Sequence, residues 1–576
     1  MSTLSTPKEV GLLDHLFGAA LALAYLVVLM TTASDVGLAR DEAFYVSAAD
    51  TYGAWYEQLY HDPGAALTRG SIDQHWSYNN EHPALMKTLF AWSMLVDRKI
   101  YPALREGLGL TPEPLFSQPS LAYRLPGMLS ACLTLWLIYV IGARAAGRRL
   151  GAFAAVAYAT LPRVFYHAHL DCFDVPIVLM MTWTTYAYWR ALQSRGWALW
   201  CGLAYGCALA TKHNSWVLPG IFLIHFAWVA LQERQRRRRG EAPSVLLFPT
   251  WLVAMLILGP LVFLGSWPYV WFDTLARVGW YASFHLHHDY YNIAYFGVNW
   301  FRPPFPISYP FVMTLFTIPL TLTLLLLTGI GLRARAILPL WLSARVWPKG
   351  ELKPDPRCTD VLWLGCALAP IIIIALPSTP IFGGTKHWFS AYPFLCLFAG
   401  YAALHVAVAV ESRLLSRGIE QPQRVALLSL AVLLAPGVAE TAHSHPFGLS
   451  HYTLPAGGVP GAADLGMNRQ FWGFTTRSVT DFLNERMPHG GSVYIHDTAF
   501  GAFEMLKRDG HLQPDIHVAG NLSDADYVLV QYEHHMVEVD FQAWQLFGTV
   551  QPVHVLTYDG VPIITIYEHP RRRAAP

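Results

Sequence analysis

Two adjacent carboxylates, Asp41 and Glu42, stand in "LARDEAFYVSAADTYGAWYEQL" (38–59), directly after the apolar run "LFGAALALAYLVVLM". Ionisable residues recur in short clusters further along: "YNNEHPALMK" (78–87), "YRLP" (123–126), "YHAHLDCFDVP" (166–176), "TKHN" (211–214), "FHLHHDYYN" (284–292) and "GGTKHWF" (383–389). Each borders an apolar stretch. Charged groups at membrane depth are costly and therefore mark function by default. Carboxylates, histidines and lysines gathered on one side of such stretches point to one shared cavity that opens to the outer surface.

Each cluster also has a plainer reading. Asp41 as a helix N-cap would need no neighbouring glutamate. Glu81 and His82, before Pro83, match the acidic flank of a proline-started helix as well as they match a binding loop. Asp171 and Asp174 are three apart and face the same way on one helical turn; an interfacial cap accounts for one aspartate beside His167 and His169 more easily than for two. "HLHHD" (285–289) contains metal-ligand types without the i, i+4 spacing of a helical site, and reads as a surface loop. Lys386 and His387 follow Gly383 and Gly384, which allow backbone to approach an anion closely. An exposed, positively charged loop accounts for them equally well.

The elements that must position these residues are set by composition. The chain has 576 residues, of which 54% are hydrophobic and 14% charged, and its mean hydropathy is positive. That composition belongs to a membrane protein. Windows of roughly 20 apolar residues cross the hydrocarbon as helices, and eleven can be marked, near 13–33, 122–143, 150–167, 173–192, 197–212, 214–231, 245–266, 310–331, 360–378, 390–411 and 424–440. Arginines and lysines mark cytoplasmic loops. "ARAAGRR" (143–149), "WRALQSR" (189–195), "ERQRRRRG" (233–240), 333–357 and "ESRLLSRGIEQPQR" (411–424) occupy every second loop. This puts the N-terminus in the cytoplasm, with 34–121 and everything from about 441 outside. The first window is expected to be a retained helix, because Lys8 is offset by Glu9 and Asp14 and no positive n-region precedes it.

The net charge of +1 gives no basis for nucleic-acid binding, since topology explains the arginine runs. Seven cysteines, mostly inside the windows, show no disulfide or zinc spacing. After about 475 the pattern changes. Short β-rich runs, "SVYIHD", "YVLVQYE", "PVHVLTYD" and "VPIITIYEH", alternate with helical ones and predict a small α/β domain. The expected organisation is a polytopic α-helical membrane domain over 1–440, a connecting segment over 441–474, and a separate soluble domain over 475–576. Phe44, Tyr45, Tyr52, Trp55 and Tyr56 predict an amphipathic helix lying along the membrane surface.

With "RDEAFY" opening the first outer loop, "EHPALMKTLF" later in it, and "YRLPGMLSACLTLWLIYVIGARAAGRRLGAFAAVAYATLPRVFYHAHLDCFDVP" after it, the chain resembles the family 39 glycosyltransferases of the GT-C superfamily. That family includes protein O-mannosyltransferases and bacterial lipid A aminoarabinose transferases. The stretch "HPFGLSHYTLPAGGVPGAADLGMNRQFWG" (445–473) is similar to a segment of uncharacterised bacterial members. The resemblance covers nearly the whole chain, and implies transfer of a sugar from a polyprenyl phosphate to an acceptor on the outer side, with inversion.

The roles that follow are those the resemblance implies. Asp41 matches the family's acidic residue that takes the acceptor's proton, and Glu42 orients the loop or the acceptor. Lys87, Arg124, Lys386 and His387 are the candidate cations for the leaving phosphate, and Glu81 and His82 belong to the same binding loop. Asp174, with Asp171 beside it, matches the acidic residue between the third and fourth spans, which holds the cations or contacts the sugar. No metal or cofactor is expected. Two departures bear on the acceptor. Ala84 stands where relatives often have a second proline, and no central loop can house the β-trefoil of protein O-mannosyltransferases. A lipid, glycan or other envelope acceptor is thus favoured over a protein, in a bacterial inner membrane if the relatives are a guide. A transporter or lipid flippase would also bury charges, but would place them near the bilayer midplane among paired broken helices; a non-catalytic scaffold is the third reading. The tail is expected to capture the acceptor or to support a lid.

Overall fold

The computed structural model describes residues 9–337, 355–381 and 383–573. Lys8 and most of the basic loop expected over 333–357 lie outside the described residues. Every marked window contains helix. Among the described residues, five helices are long and apolar enough to cross a membrane, Leu12–Asp35, Pro119–Ala146, His213–Arg238, Gly384–Leu415 and Pro422–Ser444. Four shorter apolar ones, Gly196–Leu209, Thr250–Gly265, Leu320–Ala334 and Thr359–Ala375, accompany them. Two windows are broken. The window 150–167 divides into Arg148–Ala159 and Pro162–Ala168, and 310–331 into Tyr309–Thr317 and Leu320–Ile337. Pro162 and Pro319 are the cause, since proline cannot donate to the preceding turn and drives the residue before it out of helical geometry. Leu161 and Ile318 are both extended.

Small residues set the closest helix contacts. A Cβ on Gly202 would lie 2.5 Å from the Ala254 carbonyl oxygen, and one on Gly206 would lie 2.5 Å from Val262 Cβ. Helices Gly196–Leu209 and Thr250–Gly265 can therefore approach backbone to backbone, which is how helices associate where lipid removes the hydrophobic drive. Tyr392–Leu415 runs through the centre, buried along most of its length.

Outside the bundle, the first loop folds into helices Arg40–His61, Arg69–Trp76 and Leu85–Leu95. The predicted amphipathic helix is present, but its aromatic face does not lie in lipid. Tyr45, Tyr52 and Trp55 are buried, with Tyr52 and Trp76 ring centroids 3.9 Å apart. The tail forms one mixed sheet, but first comes a hairpin that the sequence reading did not identify. Strands β1 (Ile293–Tyr295) and β2 (Val298–Trp300) pair antiparallel around Phe296 and Gly297, both at positive φ, as a tight two-residue turn requires. In the tail, β3 (Gly491–Ile495), β4 (Ile516–Val518), β5 (Tyr527–Gln531), β6 (His554–Tyr558) and β7 (Val561–Glu568) run in the order β4-β3-β5-β7-β6. β3 is parallel to β4 and β5, while β7 is antiparallel to β5 and β6.

The tail is not a separate module. Val36, Leu38, Tyr52 and Trp76 of the first outer loop share one apolar core with Val493, Ile516, Leu529 and Ile564 of the sheet. The Ser120 amide donates to Asp509 at 3.0 Å, and Arg40 pairs with Asp497 at 2.7 Å. The sheet covers one face with the membrane domain's loop, while Val528, Val530 and Tyr567 on the other pack with Ala543 and Phe547 of helix Val537–Phe547.

Candidate active site

The site begins where helix Leu12–Thr32 ends. A single 3-10 turn, Ala33–Asp35, ends that helix, and residues 36–39 cross to the next without regular structure, so the carbonyls of this segment need other donors. Arg124, on the outer end of Pro119–Ala146, supplies them. Its Nη1 donates to the carbonyls of Ala33 and Val36 at 3.2 and 3.0 Å, and its Nη2 to that of Gly37 at 3.0 Å. The same guanidinium grips Glu42 with two parallel bonds, Nε to Oε1 at 2.8 Å and Nη2 to Oε2 at 2.9 Å. Glu42 in turn accepts from the Ala39 amide at 2.7 Å, capping helix Arg40–His61. Burial raises the Glu42 pKa, but the Arg124 charge and hydrogen bonds outweigh it and hold the carboxyl below its ordinary value. Burial first, and then the Glu42 charge, pushes Asp171 well up. The Asp171 amide donates to Glu42 Oε1 at 3.3 Å, so Arg124, Glu42 and Asp171 form one group that builds the loop.

With Glu42 turned inward, Asp41 on the same first turn points to a second cluster. Its Oδ2 meets Lys386 Nζ at 3.2 Å. Lys386 Nζ also lies 3.7 Å from the centre of the Trp472 ring. The lysine folds back over Gly383, where a Cβ would come within 2.3 Å of Lys386 Cε. The second glycine, Gly384, passes Arg163, whose Nη1 would sit 3.5 Å from a Cβ there. Asp174 accepts from Lys212 at 2.6 Å and faces His167 at 3.8 Å. His167 lies among Asp174, Lys386, Arg163 and Lys212, with Trp472 and Phe389 edge-on to its ring. Two carboxylates and three buried cations therefore meet at the outer ends of the helices.

A third group surrounds Glu81, His82 and Lys87. Lys87 is fully buried. Its ammonium donates to the carbonyls of Asn79 and His82 at 2.5 and 2.9 Å and reaches Asn79 Oδ1 at 3.4 Å. In this conformation it ties the loop together and presents no donor to a phosphate. Glu81 accepts from Asn79 at 2.6 Å, and its carbonyl pairs with His285 at 2.7 Å. The His82 ring packs on Phe173 and His285, and burial, with Lys212 and Lys87 nearby, drives its pKa well down. His285 stacks on His213, with centroids 4.0 Å apart. Both line a cavity of about 390 Å³ together with His387, Trp216 and Ile373. "HLHHD" is therefore not a detached surface loop, since His285 is part of this wall.

Burial lowers the Lys87 pKa to about 7, against the pull of Glu81. Between that value and the ordinary lysine value the unfolded chain binds one proton more than the folded one, so stability rises with pH across this window. The thermal midpoint of the purified protein should accordingly climb from pH 7 to pH 9, and Lys87→Met should flatten the climb. Equal slopes in the two proteins would refute this account of Lys87.

The sequence reading assigned no role to Arg163, His167, Lys212 or Trp472. A signal for Arg163 was present: an arginine inside an apolar window, at the end opposite the basic loops. It is 3% exposed, its Cζ stands 5.1 Å from the Tyr452 ring centre, and its Nε and Nη2 have no hydrogen-bond partner among the described residues. Trp472 adopts positive φ, 73°, and its carbonyl accepts the Arg40 amide at 2.8 Å. A non-glycine residue in that region is strained, which is a feature of functional segments. No group of three or more His, Cys, Asp or Glu is arranged to hold a metal ion among the described residues.

Comparison with known proteins follows the same geography. No curated protein sequence matches the chain. Among solved structures, ArnT from Cupriavidus metallidurans in the apo state is 15% identical, with a TM-score of 0.46 over 96% of this chain and 97% of that one. Archaeal oligosaccharyltransferase AglB from Archaeoglobus fulgidus, in complex with an inhibitory peptide and a dolichol-phosphate, is 12% identical, with a TM-score of 0.46 over 92% and 71%. Arabinofuranosyltransferase AftD from Mycobacteria is 13% identical, with a TM-score of 0.38 over 98% and 42%. Residues 113–263 match the family described as dolichyl-phosphate-mannose-protein mannosyltransferase. That stretch holds Arg124, Arg163, His167, Asp171, Asp174 and Lys212, and there the chain is similar to that family.

Proposed function

We propose that this protein transfers a sugar from a polyprenyl-phosphate carrier to an acceptor on the non-cytoplasmic face of the membrane, with inversion at the anomeric carbon. The observation that carries this reading is the pairing of Asp41 with Lys386 beside Asp174, Lys212 and Arg163, whose Nε and Nη2 have no hydrogen-bond partner among the described residues. Most of that group lies in the stretch that matches a family named for a lipid-phosphate sugar donor.

The step assigns a task to each group. Asp41 accepts the proton of the acceptor hydroxyl as its oxygen bonds to the anomeric carbon. The bond from that carbon to the phosphate oxygen breaks on the opposite side, and the lipid leaves as a phosphate monoester. Its added negative charge falls to Arg163 and Lys386, which are already desolvated and need no reorganisation. We read the step as needing no divalent metal, because fixed cations already face the leaving group. Asp174 keeps Lys212 and His167 in place. Arg124, Glu42 and Asp171 position the loop that carries Asp41, and Glu81, His82 and Lys87 form the adjoining wall. The tail supplies Trp472 to the same site, which fits an acceptor that enters between the tail and the first outer loop.

The test is transfer by purified protein with a panel of polyprenyl-phosphate sugars and envelope lipid, glycan and protein acceptors. Loss of sugar from a carrier in step with a glycosylated product supports the proposal; no transfer from any carrier ends it. Within that assay, Arg163→Gln should lower kcat/KM for the donor by about 10- to 100-fold, the worth of one or two charge-assisted hydrogen bonds. Arg163→Lys should recover part of the loss. Unchanged donor kinetics in the glutamine variant would remove Arg163 from the phosphate site.

A further inference from the structure

A second cationic cluster lies at the other end of the helices, the end that the arginine distribution reads as cytoplasmic. Arg144 closes helix Pro119–Ala146, Arg190 closes Asp174–Ala191, and Arg357 precedes Thr359–Ala375. Arg357 stacks on Trp189, the residue before Arg190, while Arg190 itself donates to the Tyr186 hydroxyl at 3.1 Å and lies over the Trp197 ring; Arg144 and Arg190 are both within electrostatic range of Arg357. Most neighbouring arginines are matched by acids: Arg148 by Asp14, Arg149 by Glu411, Arg237 by Glu233 and Arg333 by Asp360. Among the described residues, neither Arg144 nor Arg190 has a carboxylate partner. Arg357 has only Asp355, at 3.6 Å, and that carboxylate already accepts from the Arg357 amide and from the amide and hydroxyl of Thr359.

Arg357 is held as part of a site would be. It is 5% exposed, and its Cζ stacks 3.8 Å from the Trp189 ring centre. Trp189 is itself fixed by donating to Thr359 Oγ1 at 2.8 Å. Among the described residues the Nε atoms of Arg357 and Arg144 are buried without a hydrogen-bond partner, a condition that costs free energy and that a bound anion would relieve. We propose that Arg144, Arg190 and Arg357 bind a phosphate-bearing anion at this end of the bundle. Planar guanidinium groups are suited to phosphate oxygens, and basic pockets between spanning helices recognise phospholipid headgroups. A lipid headgroup and a free phosphate share that chemistry.

Thermal midpoints of the full-length protein in detergent test this and separate the two sources. The probes are short-chain phosphatidylglycerol, sodium phosphate, and short-chain phosphatidylcholine, which carries the same phosphodiester without net charge. A midpoint raised by phosphatidylglycerol alone identifies a lipid site, and one raised by phosphate as well identifies a site for the free anion. In either case Arg144→Gln with Arg190→Gln should weaken the apparent affinity by about tenfold per arginine, whereas Arg234→Gln with Arg239→Gln, at the exposed basic end of helix Leu218–Arg238, should leave it unchanged. No shift with either anion, an equal shift with phosphatidylcholine, or an equal loss in both double variants overturns the proposal. Native mass spectrometry of the unmutated protein gives a readout independent of variant folding. Preferential retention of phosphatidylglycerol or phosphate over phosphatidylcholine supports the site, and equal retention refutes it.

Discussion

Asp41→Asn is expected to lower kcat for sugar transfer by about three orders of magnitude, the upper part of the range for losing a positioned general base, with little change in donor KM. Asparagine keeps the size of the side chain and an oxygen for Lys386, so the 3.2 Å contact survives as an ordinary hydrogen bond. What disappears is the capacity to take the acceptor's proton. Asp41 is a quarter exposed but Lys386 is 4% exposed, so the substitution also costs about 1 to 3 kcal/mol of stability, the range for a buried polar group whose partner is weakened. The thermal midpoint therefore separates a chemical defect from a folding defect. Single-turnover transfer with saturating donor is the measurement. A rate equal to that of the parent would remove Asp41 from the reaction.

Asp174→Asn gives the contrast that makes the result specific. Asp174 is 3% exposed and committed to Lys212 at 2.6 Å, so it has no spare face for an acceptor hydroxyl. Its loss leaves a buried lysine unpaired, and stability and donor affinity should fall together. Asp171 is excluded on different grounds, since burial and the Glu42 charge keep it protonated. Of the three aspartates, only Asp41 is both reachable from outside and attached to a cation that can also touch the leaving phosphate.

How much of this was legible in the sequence depends on the range of the interaction. A run of apolar residues has few folded options in a bilayer, so the helical windows could be read directly. The breaks at Pro162 and Pro319 needed only the proline rule, but hydropathy averaged across a window hides them. Alternation of β-rich and helical runs predicted four of the five tail strands. β4, three residues long, carries too little pattern, and the Phe296-Gly297 hairpin was passed over despite its alternating flanks. Pairings between distant residues were beyond reach. Nothing local to Glu42 says that Arg124 meets it 82 positions later, or that Lys87 will be consumed by the carbonyls of its own loop. Nor does the sheet announce that the cover of one face is the first outer loop. Arg163 was legible and was missed, because topology had already been made the explanation for the arginine clusters and Arg124 alone among the arginines was given a role at the site.

Replacing Arg124 should have the largest effect on folding. Its guanidinium donates five hydrogen bonds, three to the carbonyls of Ala33, Val36 and Gly37 and two to Glu42, at 2% exposure. Arg124→Met fills much the same volume but leaves a fully buried carboxylate without its counter-ion. Losing one partner of a buried pair costs about 3 to 5 kcal/mol, and the three stranded carbonyls add to that. A domain with ordinary stability, about 5 to 15 kcal/mol, loses a large share of it. Most of the cost comes from the orphaned charge, so Arg124→Met with Glu42→Gln should be more stable than Arg124→Met alone, although the second change also weakens the cap on the Ala39 amide. The two substitutions are therefore strongly non-additive, as expected for groups in one network. Denaturation midpoints in detergent for the parent, both single variants and the double variant measure this coupling. Additive losses would show that the pair contributes nothing beyond its separate contacts. The double variant should regain fold without regaining transfer, because the segment that aims Asp41 at Lys386 still lacks the donors that shape residues 33–39.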